Sequence, residues 1–254
     1  MRGGFSSPRS ARTPRGVDAH ALPRAGYVAC LDRGDIAGIG DLMLSSAFKL
    51  HAAGADFLTC PDNTIHQAMD QVAGRSPVPW LHIAEVLAAE AAAKGYRRLA
   101  LLGTPWLMES DVYPVKLQAH GIACISPEPV ERRRLGEIIM TELVYGAFQP
   151  ESIAYTEKII ARLEEDEACD AVALACTERP LILSDANSAL PTLDSKRLLA
   201  RARWPTDRHV GSVGHPQGDP SDRFGVEHRR SVARQGRSGI GASSSLPDSP
   251  VKVF

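Results

Sequence analysis

The chain has 254 residues, a formal net charge of −1, and no apolar run of the roughly 18 residues that a membrane span requires. This length suits one large or two modest domains, and the balanced charge gives no indication of a nucleic-acid partner. The five cysteines occur without Cys-x-x-Cys spacing, which argues against a zinc site or a disulfide framework. The first residues lack the apolar segment of a secretory signal. These features predict a reduced, cytoplasmic protein.

Apolar strands alternate with helices between residues 17 and 202. The periodicity predicts helices over residues 35–53, 84–94, 110–120, 131–145 and 150–165, and a short helix after residue 63. It predicts strands over residues 56–60, 98–102, 122–125 and 171–175, and an extended segment at 77–81. We expect Gly95 to end the helix before it and Ser110 to cap the helix after it. This alternation predicts a parallel, doubly wound α/β sheet.

Both ends of the chain depart from this alternation. Residues 1–16 contain Gly, Ser, Pro and Arg without an apolar run, and we interpret them as an irregular segment. The composition of residues 203–254 cannot bury enough apolar surface to offset the entropy of ordering, so we predict a disordered tail. The predicted organisation is therefore an α/β region over residues 17–202 between two irregular ends.

Two of the predicted strands end in short polar stretches, TCPDNTIH at residues 59–66 and ALACTE at residues 173–178. Open α/β sheets bind ligands at the carboxyl ends of their strands. Each stretch carries an ionisable side chain beside a hydroxyl group, which suits chemistry that needs one acid/base group on each face of a substrate. The sequence contains no Gly-x-Gly-x-x-Gly or Walker-type loop, so nothing in it indicates a nucleotide.

These two stretches resemble the Asn-Thr-x-His and Gly-Cys-Thr-Glu segments of the aspartate/glutamate racemase superfamily, in its amino-acid racemase branch. Supporting matches occur at residues 81–85, 101–104, 142–146 and 190–195, and the resemblance covers roughly residues 17–202. It implies two similar doubly wound parallel-sheet halves, with the active site in the cleft between them, and a homodimer. Relatives begin with a strand and a glycine-rich loop that we do not recognise in this sequence, so we interpret the N-terminal half as incomplete.

The resemblance implies cofactor-independent inversion at the α-carbon of an amino acid, with an acidic amino acid as the expected substrate. One residue removes the α-proton from one face, and a second residue returns a proton to the other face. Position-by-position transfer makes Cys176 one catalytic residue. The other is Asp62, which stands where most relatives have a cysteine. Cys60, two residues earlier, is the alternative second base.

The same transfer assigns substrate binding. Asn63, Thr64 and Thr177 are expected to hold the α-carboxylate, and Glu178 the ammonium group. Thr104, after its own strand, is a weaker candidate for the pocket. Outside this set, His66 and His82 are interpreted as structural residues.

Two other hypotheses about function stay open at this point. One is a maleate-isomerase-like or decarboxylase-like enzyme of the same superfamily, which would act on a dicarboxylate through Cys176 alone. A covalent adduct on the thiol would distinguish it from a racemase. The other is a truncated, non-catalytic family member, for which Cys176→Ser would change nothing measurable.

Overall fold

A computed structural model of the protein describes residues 24–202. Its N-terminal half contains the helices α1 (Arg24–Asp32), α2 (Ile36–Ala52), α3 (Met69–Ala73) and α4 (Ile83–Ala93), and the strands β1 (Leu58–Thr59) and β2 (Trp80–Leu81). Its C-terminal half contains β3 (Arg98–Gly103), α5 (Pro105–Met108), α6 (Val112–Gln118), β4 (Ala123–Ile125), α7 (Pro129–Thr141), α8 (Pro150–Glu165), β5 (Ala171–Ala175), β6 (Thr192–Asp194) and α9 (Ser195–Arg201). Short 3₁₀ turns occupy Thr64–Ala68, Leu143–Tyr145 and Arg179–Leu181. The expectations for residues 1–16 and 203–254 lie outside the described residues.

The larger sheet has the strand order β4-β3-β5-β6, with every pair parallel. The chain passes from β3 outward to β4 and then crosses to the other side of β3 for β5 and β6. The winding direction therefore reverses between β3 and β5, and such a reversal opens a crevice at the carboxyl ends of the two strands. Gly103 pairs with Ala175 in the register, so Thr104 and Cys176 leave the sheet from neighbouring positions.

Helices cover both faces of this sheet. Leu99 and Leu101 of β3 pack with α4 and α6, whereas Ala100 and Leu102 pack with α7 and α8. Successive side chains of a strand point to opposite faces, so a strand covered on both sides must be apolar at every position. This is why β3 and β5 are continuous apolar runs, and the predicted doubly wound architecture is confirmed.

The N-terminal half has its own parallel sheet, in which Leu58 pairs with Trp80 and Thr59 with Leu81. The connection between these strands contains the Thr64–Ala68 turn and α3. Asp35 caps α2, because its carboxylate accepts the Gly38 N–H at 2.8 Å. The chain thus forms two parallel-sheet halves, and the 59–66 stretch follows the first strand of the smaller one.

Some predicted boundaries were wrong. Ser110 is not the N-cap residue of the next helix, because α6 begins at Val112 with Asp111 in the cap position. The Ser110 hydroxyl nevertheless accepts the Val112 N–H at 3.4 Å, and it donates to Leu107 O at 2.7 Å. The reason is that α5, which the periodicity did not predict, already occupies the segment after β3, and Thr104 caps it. Gly95, with φ of +80°, follows α4 as predicted.

Other elements differ in length or were missed. The helix predicted over residues 131–145 ends at Thr141, and a 3₁₀ turn closes at Gly146, whose φ is +72°. The strand predicted over residues 56–60 is reduced to two residues. Helices α1 and α9 and strand β6 were not predicted as elements. None of the helices in residues 24–202 has the length and apolarity that crossing a membrane requires.

Candidate active site

A cleft of about 150 Å³ lies where the polar stretches after β1, β3 and β5 come together. All seven site residues predicted from the sequence line it, namely Asp62, Asn63, Thr64, Thr104, Cys176, Thr177 and Glu178. The alternative second base, Cys60, does not line the cleft and is only 1% exposed. The fold therefore brings residues from both halves of the chain to one cavity.

The loop after β1 is held by hydrogen bonds to its own backbone. The Asp62 carboxylate accepts the Thr64 N–H at 2.8 Å, and the Asp62 carbonyl accepts from His66 Nδ1 at 2.8 Å. Because the Ile83 N–H donates to His66 Nε2 at 3.4 Å, the proton of this imidazole is on Nδ1. Burial lowers the pKa of His66 to about 3, so the ring is neutral. His66 thus supports the loop, in agreement with its predicted structural role.

Asp62 and Cys60 differ in their environments. Burial raises the pKa of the Asp62 carboxyl above its usual range, and hydrogen bonds from Tyr27 and from the backbone oppose this effect. Burial also raises the pKa of the Cys60 thiol, which points at the Asp62 carbonyl 3.8 Å away. The ionisable side chain that reaches the cleft from this loop is therefore a carboxyl group with reduced acidity.

The loop after β5 places a thiol against a carboxylate. Cys176 Sγ donates to Glu178 Oε2 at 3.0 Å, and the Thr177 hydroxyl donates to the same oxygen at 2.6 Å. Burial raises the pKa of Cys176 to about 12, and the negative charge of Glu178 adds to this effect. The resting thiol is therefore protonated, with a proton acceptor already at hydrogen-bonding distance.

Arg179, directly after Glu178, is a residue that sequence reasoning missed. It is fully buried, and its guanidinium group donates to Leu135 O at 2.9 Å and to Thr156 Oγ1 at 3.2 Å. Its Nε has no hydrogen-bond partner among residues 24–202. Burial lowers the pKa of this arginine to about 10. Nothing in the sequence indicated it, since an arginine beside a proline in a polar loop is usually solvated.

Two hydrogen bonds connect the loops of the two halves. Thr64 Oγ1 and Thr104 Oγ1 are 2.9 Å apart, and the Tyr113 hydroxyl donates to Asn63 Oδ1 at 2.6 Å. The Asn63 side-chain nitrogen, Nδ2, is buried and has no acceptor within residues 24–202. These contacts orient Asn63 and Thr64 at the cleft and leave Nδ2 as a donor.

The remainder of the cleft wall is largely apolar, and sequence reasoning did not identify it. Tyr27, whose hydroxyl bonds to Asp62, is its polar member. The apolar side chains come from α1, α5, α7, the 3₁₀ turn after α7 and the end of β5: Val28, Leu31, Trp106, Ile139, Met140, Val144 and Ala175. A periodic helix pattern shows which residues are buried but does not show which cavity they face. Within the described residues, no three His, Cys, Asp or Glu side chains are grouped as metal ligands would be.

A family model described as Asp/Glu/hydantoin racemase matches residues 13–202. The chain belongs to this family. One similar protein is the broad specificity amino-acid racemase RacX of Bacillus subtilis (strain 168). The two sequences are 26% identical over 162 residues, which are 63% of this chain and 68% of RacX.

Solved structures of similar proteins agree with this family member's fold. A Yersinia pestis protein classed as an Asp/Glu racemase superposes with a TM-score of 0.64 at 27% identity, over 70% of this chain and 77% of its own. An aspartate racemase homologue from Pyrococcus horikoshii OT3 superposes with a TM-score of 0.58 at 29% identity, over 64% of this chain and 71% of its own. This protein is thus an isomerase with two α/β halves.

Proposed function

We propose that this protein racemises free amino acids without a cofactor, with Cys176 and Asp62 as the two acid/base residues. The observation that carries the proposal is that these two groups, from strand ends in different halves of the chain, line one cleft. Inversion by two bases needs one proton-transferring group on each side of the α-carbon. A cleft between two halves meets this need because each half contributes one wall.

The surroundings of Cys176 suit proton removal, and those of Asp62 suit proton donation. Cys176 needs a base to become a thiolate, and Glu178 Oε2 lies 3.0 Å from its sulfur. Glu178 is half-buried, so it can pass the thiol proton to solvent and remain charged. The thiolate then removes the α-proton from one face. Asp62, with its raised pKa, returns a proton to the other face, and the roles exchange in the reverse direction.

The polar groups around this pair support the proposal, because their chemistry suits an amino-acid substrate. Asn63 Nδ2 is a buried donor without an acceptor in residues 24–202, and it is suited to the α-carboxylate together with the hydroxyls of Thr64 and Thr177. Cys176 and Thr177 both donate to Glu178 Oε2, so Oε1 is the oxygen that would contact the ammonium group. Thr104 acts through its 2.9 Å contact with Thr64.

The homodimer that the resemblance implies, and the cytoplasmic location and the α/β region over residues 17–202 that the sequence predicts, are part of the same proposal. The acidic substrate that the resemblance implies is not, because the described cleft wall has no cation to pair with a side-chain carboxylate.

Exchange of α-protons in D₂O, followed by NMR and chiral chromatography, tests the mechanism with both enantiomers of a panel of amino acids. Asp62→Asn should exchange the α-proton of one enantiomer only, with little inversion, because Cys176 then works from a single face. Cys176→Ala should exchange that of the opposite enantiomer only. Cys124→Ala is the matched control, since this half-buried thiol does not line the cleft, and it should behave as the wild type.

Two results would overturn the proposal. The first is the absence of exchange with every amino acid from a protein that circular dichroism shows to be folded. The second is a covalent adduct on Cys176, detected by mass spectrometry with maleate or a malonate, which would favour the isomerase-like or decarboxylase-like chemistry.

A further inference from the structure

The charged groups on the cleft wall are of one sign. Asp62 and Glu178 line the cleft, and no Lys, Arg or His side chain from residues 24–202 lines it with them. The nearest cation in sequence, Arg179, is fully buried, and its guanidinium group is directed to Leu135 O and Thr156. The described wall therefore has no cation that could pair with a carboxylate on a substrate side chain.

An amino acid already brings one carboxylate into this cleft. Asn63 Nδ2 and the hydroxyls of Thr64 and Thr177 can satisfy that group. Aspartate or glutamate would bring a second carboxylate close to Glu178, whose charge already contributes to the raised pKa of Asp62. Repulsion between unit charges about 4 Å apart near a protein surface corresponds to a loss of affinity of about a thousandfold.

The wall offers an apolar surface in place of a cation. Val28 and Leu31 line the cleft from α1, and Ile139, which is only 2% exposed, lines it from α7. Trp106 and Val144 complete this surface from α5 and the 3₁₀ turn after α7. Each methylene group buried against such a surface raises affinity by about fourfold.

A basic side chain fits less well than an apolar one, because the α-ammonium group of the substrate already takes Glu178 and burial favours the neutral form of the Asp62 carboxyl by raising its pKa. Asp62 accepts the Thr64 N–H, and Glu178 accepts from Cys176 and Thr177. The α-ammonium group of the substrate would be a further hydrogen-bond donor to Glu178. A second cation would therefore have to lie on the apolar surface without a counter-charge of its own.

We propose that the cleft selects amino acids with an uncharged, apolar side chain, such as leucine, valine or methionine, over aspartate and glutamate. This inference rests on the proposed racemase function and specifies its substrate class. The cleft volume of about 150 Å³ is that of a small site, consistent with a single amino acid as the occupant.

The test compares α-proton exchange in D₂O for leucine, methionine, aspartate, glutamate, lysine and ornithine at equal concentration. Leucine or methionine should exchange at least tenfold faster, in kcat/KM, than either acidic amino acid. Calorimetric titration of the same six compounds into the Cys176→Ala variant measures side-chain preference separately from turnover. Tighter binding of leucine than of glutamate would support the inference even if no exchange occurred.

A charge-introducing variant tests the cause of the preference. Val144→Lys places a cation on the cleft wall, and it should raise the ratio of glutamate to leucine turnover by about tenfold or more. Val130→Lys is the matched control, because Val130 is 66% exposed at the start of α7 and does not line the cleft. It should leave the ratio unchanged.

The outcomes separate this inference from the proposed function. Faster exchange and tighter binding of aspartate, glutamate, lysine or ornithine would overturn the apolar preference and leave racemisation intact. No exchange with any compound would overturn racemisation, and the binding order in the Cys176→Ala variant would then decide the preference alone. Binding of none of the six would overturn both.

Discussion

Replacing Arg179 with methionine should lower activity without lowering stability. Keeping the guanidinium charged in the core is costly, because burial lowers its pKa to about 10 from the usual 12.5. At about 1.4 kcal/mol for each pKa unit, the cost is roughly 3 kcal/mol. The substitution also removes two hydrogen bonds, which contribute about 1 kcal/mol each. The free energy of unfolding should therefore stay within about 1 kcal/mol of the wild type, or rise.

The expected loss of activity follows from the charge near Cys176. The Arg179 cation lowers the pKa of the Cys176 thiol, although this is the weakest of the influences on that group. A nearby opposite charge favours the charged form of a group, so removing this cation should raise the pKa of Cys176 further. The thiolate population at neutral pH should then fall, and the limb of the kcat–pH profile that reports Cys176 should move to higher pH.

The control for Arg179→Met is Arg162→Met, which removes an arginine that pairs with Glu131 at 2.5 Å and does not line the cleft. That variant should lose about 1 kcal/mol of stability and keep the wild-type pH profile. Thermal unfolding by circular dichroism measures the stability, and exchange rates between pH 6 and pH 12 measure the pH profile. The electrostatic role assigned to Arg179 is refuted if the Arg179→Met variant keeps the wild-type pH profile. It is also refuted if the free energy of unfolding of this variant is more than about 3 kcal/mol below that of the wild type.

Two further predictions use pairs of similar substitutions. Gly136→Ala should destabilise the protein by about 1–3 kcal/mol, since the new methyl group would lie 2.8 Å from Pro105 Cδ and closer still to Cγ. Gly26 is an exposed helical position with open space around it, so Gly26→Ala should instead stabilise the protein by about 0.5–1 kcal/mol. A denaturant titration measures both variants, and equal effects would contradict the close packing of Gly136 against Pro105. Cys60→Ser should retain inversion, whereas Asp62→Asn should lose it in chiral chromatography. The reverse pattern would make Cys60 the second base.

The smaller sheet shows where sequence patterns stopped being informative. Its strands have two residues each, and the apolar run that predicted a strand over residues 56–60 could not show where pairing ends. Strand length is decided by the partner strand, which lies in a different part of the chain. The same reasoning applies to Ser110, which lies between α6 and α5, a helix too short to produce a periodic signal. Its hydroxyl bonds to both helices, so the sequence could not show that Asp111 takes the cap position.

The sequence by itself determined the alternation of strands and helices, the family, and the seven polar residues that line the cleft. These are local features. A strand buried on both faces must be apolar throughout, and the residues that bind ligands in open α/β sheets directly follow the carboxyl ends of such strands. Only the tertiary structure decided that Asp62 rather than Cys60 faces the cavity, that Arg179 is buried directly after Glu178, and that the helices add mostly apolar side chains to the cavity wall. Each of these depends on which side chains from distant segments share one space, and periodicity along a single segment carries no information about that.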